Sequence, residues 1–388
     1  MGIILLRKEA PMPYLIYAND FSDFKGGNLS QEKVKSIFQG AIQIWENASQ
    51  AKLRMAFLFI DPLINSFEAA NHFYFNTLGL SEASPLNTYK SGNSPMQAMH
   101  DAKIILENDL VDLCFIFGYE PLASLKNDLG KEKLAQAMDI YQGTSLPQAY
   151  NSLAHRLLEI LEINKNDFYD ISDALYKNYK ETFEAKTGQK QKAPDRPKKY
   201  EAIGADLFSL TDMSNPYVDY TGGIILANQK AVKKLELEPK LSLAAASYKV
   251  VADGPSYVYT IAGQEAIYPH LREVFKDIEE QAGICPAKEH QNSNLLLEAY
   301  TCYPPSPMGF LMAGDFVKEP GDFVNFLQSH PITVSGGMNF ARGPWNNPAL
   351  HGLVEMVRAL SKSPASYGLV HGNGGLGGYQ GLSLLKKI

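Results

Sequence analysis

The chain's 388 residues suffice for one large or two ordinary domains, and 45% hydrophobic with 20% charged side chains excludes a disordered or fibrous protein. A formal net charge of −6 argues against nucleic acid as a partner. Cys114, Cys285 and Cys302 are the three cysteines and lie far apart, which excludes a disulfide framework and a Cys-x-x-Cys metal site and fits a reducing cytosol.

The opening Met-Gly-Ile-Ile-Leu-Leu-Arg is too short for the apolar core of a signal peptide, and Gly2 lacks the downstream hydroxyl of a myristoylation signal. No run approaches the roughly 18 apolar residues of a spanning helix. A cytoplasmic protein with no membrane span and no bound metal is therefore expected. Short apolar runs then alternate with helix-period stretches. Strands are predicted over 14–17, 55–60, 111–117, 223–227, 247–252, 295–300, 332–334, 367–370 and 381–384. Helices are predicted over 31–50, 66–78, 95–108, 262–281 and 348–361. Such alternation indicates an α/β protein whose sheets are covered by helices.

A short pattern occurs twice. Pro85 to Pro95 precedes a helix and then the strand from Val111; Pro331 to Pro348 precedes a helix and then the strand from Tyr367. Both helices place Pro at the first helical position, after Ser94 or Asn347 as cap. Two similar halves follow from this. Residues 120–215 interrupt the pattern with polar, helix-like sequence, read as a solvated insertion. It ends in a basic stretch of Lys186, Lys190, Lys192, Arg196, Lys198 and Lys199, with Asp195 opposing.

Chemistry concentrates near the end of the chain. Gly336-Gly337 and the run His371-Gly-Asn-Gly-Gly-Leu-Gly-Gly378 bend backbone tightly, as only Gly does freely. A His at a strand end beside glycine-freed backbone is well placed to meet a ligand. These blocks resemble the C-terminal signature of the thiolase superfamily. Asp112 to Glu120 resembles the strand after the nucleophile helix, Val218 to Asn228 the last strand of the first half, and Leu297 to Tyr303 the His-Asp-Cys-Phe block of the sterol-carrier-protein type of thiolase.

The resemblance implies a thiolase-like fold: two duplicated βαβαβαββ halves in a five-layer α-β-α-β-α arrangement, with a helical loop-domain insertion. The boundaries are 13–119 for the first part of the N-terminal half, 120–215 for the insertion, 216–235 for the end of that half and 236–388 for the C-terminal half. It also implies acyltransferase chemistry of the acetyl-CoA acetyltransferase type, with a coenzyme A thioester as substrate and no cofactor. A homodimer through the strand near 86–89 is implied as well. The insertion's cations would meet the phosphates of coenzyme A.

Two departures stand out. Thiolases present a Cys at a helix N-terminus, which favours the thiolate. Here the block is Tyr89-Lys-Ser-Gly-Asn-Ser-Pro95, so Tyr89, Ser91 or Gly92 stands at that position and none is Cys. Ser91 and Ser94 are weak nucleophiles without a base, and Ser94 also suits a helix cap. The Gly-His-Pro loop, whose His belongs to the oxyanion hole, reads Arg342-Gly-Pro-Trp345 without His.

Cys302 matches the Cys of the His-Asp-Cys-Phe block and would act as the acid/base thiol, with Tyr300 and Thr301 replacing the His and Asp. Cys302, His371 and His351 are thus the catalytic candidates. His351 also borders the apolar stripe of its helix and fits plain packing. Ser91, Asn93, Ser94, Gly337, Asn339 and Asn346 are the candidate substrate contacts. Cys114 reads as core and Cys285 as incidental. The degenerate motifs resemble bacterial thiolase-like proteins of acetyl-CoA acetyltransferase type. They leave three readings open: an acyl-CoA enzyme without a covalent acyl-cysteine, a silent acyl-CoA binder or partner subunit, and a Claisen-type synthase on carrier-bound acyl groups.

Overall fold

The computed structural model describes residues 12–63, 70–80, 86–125, 128–139, 141, 143–191, 204–264 and 266–388. Among the described residues there are nine strands: β1 Tyr14–Asp23, β2 Met55–Ile60, β3 Leu86–Tyr89, β4 Leu113–Pro121, β5 Asp219–Ala227, β6 Leu241–Val250, β7 Leu295–Glu298, β8 Tyr367–Gly374 and β9 Tyr379–Lys387. The helices of the first half are α1 Gln31–Ile37, α2 Gln39–Gln50, α3 Ala70–Leu78 and α4 Ser94–Glu107. Those after it are α5 Asp128–Met138, α6 Leu146–Leu161, α7 Lys165–Thr187 and α8 Gln229–Lys234. The second half adds α9 Val258–Ala262, α10 Pro269–Ala282, α11 Pro286–Gln291, α12 Pro305–Ala313, α13 Phe323–Ser329, α14 Gly337–Phe340 and α15 Pro348–Leu360.

Strand order is β3-β2-β4-β5-β1-β6-β9-β8-β7. The first five strands and the last four repeat one order outward from the β1–β6 seam, so β1, β2, β4 and β5 correspond to β6, β7, β8 and β9. The seam is short: Tyr14 faces Ser242 and Leu15 faces Leu241. Both halves combine parallel pairs with an antiparallel closing strand, β5 beside β4 and β9 beside β8. β4 and β5 are buried nearly throughout, as strands covered on both faces must be.

The covering layers account for that burial. α4 packs on β2, β3 and β4 of one half and on β6, β8 and β9 of the other. α15 packs on β7 and β8, on β1 and β5, and on α4. These two helices form the central layer. α1 and α3 cover the outer face of the first half, while α10 and α11 cover that of the second. The fold is the five-layer α/β arrangement.

Several predicted elements need correction. Residues 332–334 form no strand, because the Glu298 carboxylate takes the Val334 and Ser335 N–H groups that a ladder would use, at 2.7 and 2.9 Å. The helix over 31–50 breaks at Phe38, whose buried ring turns in against Tyr74 and Phe117. The helix over 262–281 starts only at Pro269, since Gly263 and Tyr268 adopt positive φ. The insertion is not simply solvated: α6 buries Tyr150, Leu153 and Leu157, and α7 buries Phe168, Leu175 and Tyr179. Among the described residues no helix is long and apolar enough to cross a membrane.

Candidate functional site

A cavity of about 600 Å³ opens where the two halves meet the insertion. Its floor comes from three places. Ser91 and Gly92 lie just before α4, Tyr300, Cys302 and Tyr303 lie between β7 and α12, and Asn373 to Gly375 end β8. α6 adds Tyr150, held in place by a helix whose start is closed by a reciprocal Ser145–Gln148 capping box. The Tyr150 ring stacks on Tyr303 at 4.0 Å. Methionines 138, 213 and 338 and Trp345 make the upper wall apolar, in the manner of small-molecule sites with few polar groups.

The start of α4 is where the sequence resemblance looked for a nucleophile. α4 begins at Ser94, and Gly92 faces the cavity immediately before it. A Cβ placed on Gly92 would lie 2.3 Å from the Asn373 carbonyl oxygen and 2.4 Å from the Tyr300 hydroxyl. Any side chain there collides with both. Ser94 is not a cap: it is the first helical residue, and its Oγ accepts from the Ser91 N–H at 2.6 Å. Asn93 occupies the cap position without a side-chain cap bond, because its amide points inward, buried and without a hydrogen-bond partner, beside Gly372 and Gly381.

The polar floor is a connected network. Cys302 Sγ donates to Tyr150 Oη at 3.5 Å, and Asn373 Nδ2 lies 2.8 Å from that oxygen and 3.7 Å from the sulfur. Gln380 Nε2 donates to Asn373 Oδ1 at 2.5 Å, and His371 Nε2 meets Gln380 Oε1 at 2.7 Å. His371 itself does not line the cavity. It lies behind the floor, fully buried, stacked on Phe310 at 4.8 Å. Burial pushes its pKa down to about 4, so the ring is neutral. Burial also pushes the Cys302 thiol up to about 11 and raises Tyr150 and Tyr300 far above the phenol range. At neutral pH every one of these groups is uncharged.

The remaining candidates fall in different places. Asn346 lines the cavity and donates to the Asp61 carbonyl at 2.9 Å. Below it Glu120, fully buried, accepts from the Leu63 N–H at 2.9 Å, and burial lifts its pKa to about 8. Asn339 stands off the cavity and ties the 211–213 loop through the Thr211 and Met213 carbonyls. Gly336 and Gly337 bend the backbone around Phe183 and Tyr179 of α7 rather than around the cavity.

His351 also lies elsewhere. Its Nδ1 pairs with Asp20 at 2.6 Å, and Arg358 reaches both Asp20 and Glu355 at 2.7 Å. Burial alone would lower the His351 pKa, but the Asp20 carboxylate more than offsets it and raises it, which favours the charged ring. Asp20, His351 and Glu355 are close enough to ligate a metal, yet Arg358 and Lys186 already supply the cations. Lys186 pairs with Glu355 at 2.6 Å, so it is not free to meet phosphate. Lys190 is exposed; Lys192, Arg196, Lys198 and Lys199 lie outside the described residues. Tyr150, Asn373 and Gln380 carry the floor and went unnoticed in the sequence. Asn373 sits inside the glycine run that drew attention, but Tyr150 lies in an insertion with no motif.

No family model matches the sequence, and no curated protein matches it either. Solved structures do match. A monomeric SCP2-thiolase-like protein type 1 from Mycobacterium smegmatis superimposes with a TM-score of 0.70 at 14% identity, over 97% of this chain and 77% of that one. An Ltp2-ChsH2(DUF35) aldolase gives 0.70 at 14% identity, over 97% and 98%. Human mitochondrial 3-ketoacyl-CoA thiolase gives 0.59 at 15% identity, over 98% and 99%. Duplicated halves, five layers and near-complete coverage by these structures agree: this chain has the thiolase fold.

Proposed function

We propose that the cavity binds an acyl thioester of coenzyme A and acts on it without a covalent acyl-cysteine, in a degenerate protein of acetyl-CoA acetyltransferase type. The single observation that carries this is Gly92. The helix terminus that would activate a nucleophile ends in a residue with no side chain, and the Tyr300 hydroxyl fills the space a thiol would need. What remains is a floor of neutral donors. The Tyr300 hydroxyl can polarise a thioester carbonyl, because an uncharged donor in a site shielded from water stabilises developing negative charge. Cys302 is also the group that can move a proton at the α-carbon. With its pKa near 11, only a small thiolate fraction exists at neutral pH, so exchange is slow and rises about tenfold per pH unit.

The test is calorimetric binding of acetyl-CoA, with α-proton exchange followed by NMR on the same sample. Binding with exchange that falls in Cys302→Ser supports the proposal. Unchanged exchange in that variant removes Cys302 from the mechanism, and no binding removes the thioester. A second reading, a silent subunit, draws on the neutrality of the floor, which holds no ionised base. One matching structure is named Ltp2-ChsH2(DUF35) aldolase, and binding without exchange would point to a partner protein. We also propose pairing of two copies through β3, which among the described residues is bonded on one side only, to β2. Sizing by light scattering checks this, and a monomer refutes it.

A further inference from the structure

The network beneath the cavity has a direction, and backbone groups fix it at both ends. At one end the Tyr300 N–H donates to His371 Nδ1 at 3.4 Å. Nδ1 is therefore an acceptor, and in a neutral imidazole the proton sits on Nε2. That N–H donates to Gln380 Oε1 at 2.7 Å. The Gln380 NH2 group then faces Asn373 Oδ1 at 2.5 Å and the Gly377 carbonyl at 3.0 Å. A carbonyl only accepts, so this second anchor demands the same amide orientation. At the far end Tyr150 Oη donates to the Gly375 carbonyl at 3.0 Å. Its proton is committed there, and toward Asn373 and Cys302 it offers lone pairs only. Asn373 must turn its NH2 to Tyr150, and Cys302 must point its S–H the same way.

We propose that Gln380 is a positioning residue of the cavity: by bridging His371 and Asn373 it fixes the Asn373 NH2 toward Tyr150 and Cys302 and so sets how the thiol is held. Gln380 is fully buried and does not line the cavity, so it acts through Asn373. Without the bridge the Asn373 amide is free to turn its carbonyl inward. Tyr150 would then donate to that carbonyl, and the sulfur would lose its nearby N–H donor. Removing a donor from a buried anion makes the anion harder to form. This inference goes beyond the acyl-thioester reading and does not depend on it, because thiol reactivity is measured without any acyl ligand.

The experiment follows alkylation of Cys302 by iodoacetamide against pH, read by mass spectrometry. It uses the full chain carrying Cys285→Ser, since Cys285 is exposed while Cys114 is buried in β4. Gln380→Met removes the bridge. Gln380→Asn keeps an amide but is one methylene too short to span, and it gives the same reading where the methionine variant does not fold. The expected result is a profile displaced to higher pH and a rate at pH 9 that falls at least about threefold, because thiolate fraction drops tenfold per unit rise in pKa. Tyr150→Phe removes the acceptor of the Cys302 S–H and is expected to displace the profile to lower pH, and adding Gln380→Met to it should change the rate less than Gln380→Met does alone, as one pathway implies non-additivity. A residue that merely fills space would loosen the floor and raise the rate. An unmoved profile in either folded Gln380 variant, a rate raised by either of them, or additive effects with Tyr150→Phe each overturn the proposal.

Discussion

Two buried polar clusters hold this molecule together, and they are built on opposite terms. The floor of the cavity, from His371 through Gln380 and Asn373 to Tyr150 and Cys302, is uncharged at neutral pH. The cluster at the seam, Asp20 with His351, Arg358, Glu355 and Lys186, is built from ion pairs. The seam cluster joins β1 to α15 and α15 to α7, so it ties both halves and the insertion. Charge pairs serve there because their strength depends on partners rather than on direction. The floor needs direction, which neutral donors and acceptors supply. A histidine belongs to each, and the environment shifts the two pKa values in opposite directions.

The largest effect should come from emptying the centre of the charged cluster. Asp20 is nearly buried and faces two cations, His351 and Arg358. Asp20→Asn leaves both without their shared carboxylate. Removing one partner of a buried pair costs about 3 to 5 kcal/mol, and Arg358 is exposed enough to recover some hydration, which favours the lower end. A fall of about 3 kcal/mol in urea unfolding, with the m-value unchanged, is expected. A loss under about 1 kcal/mol would mean that the cluster is not a tie between layers.

The two histidines should next give opposite pH slopes. His351 is raised in the folded state, so its contribution is complete below the unfolded value near 6.5 and is lost as pH rises through the folded value. Asp20 is lowered, so its contribution is present above about 3.8 and is lost as pH falls through its folded value. The cluster is thus at full strength between about 4 and 6.5. His371 is lowered to about 4, so the fold loses stability as pH falls from 6.5 toward 4, by about 3 kcal/mol in all. His371→Gln is expected to flatten the acid limb of the stability curve, and His351→Gln the alkaline limb. Urea midpoints from pH 4.5 to 8.5 read both. Equal slopes in the two variants would erase the distinction drawn here.

Much of the architecture was legible because repeating β and α periods are carried by many residues at once. The strand Met55–Ile60 and the helices at 94–107 and 348–360 are found where apolar spacing placed them. α12 was not predicted: eight of its nine residues are buried, so it has no polar face to mark a helical period. Of the site, Cys302, Ser91 and Asn346 line the cavity, whereas His371 stands behind it and His351 apart from it. Both histidines were singled out for residue type. Residue type cannot report partners that lie 331 positions away, as Asp20 does for His351.

A steric prediction sharpens the view of the neutral floor. Gly92→Ala puts a Cβ against the Asn373 carbonyl and the Tyr300 hydroxyl. Overpacking of this kind costs about 1 to 3 kcal/mol. About 2 kcal/mol is expected by urea unfolding, and Tyr300→Phe in the same chain should return part of it, since the hydroxyl is one of the two obstacles. A neutral Gly92→Ala would mean that the helix terminus still has room for a nucleophile's side chain.

The smallest effect tests whether charge enters the cavity at all. Lys90 is exposed and lines the cavity beside Ser91, one residue before the neutral floor begins. If a coenzyme A thioester lies there, its phosphates belong in solvent at the rim, where a lysine attracts them without being desolvated. Such a contact is worth about 1 kcal/mol or less and is screened by salt. Lys90→Ala should weaken acetyl-CoA binding up to about fivefold at low salt and hardly at all near 0.5 M, while leaving the unfolding midpoint in place. The buried pairs around Asp20 should show little response to salt over the same range, because burial shields them from screening. A Lys90 effect that persists at high salt would place that cation inside the site, and the division between a charged seam and a neutral floor would no longer describe the cavity.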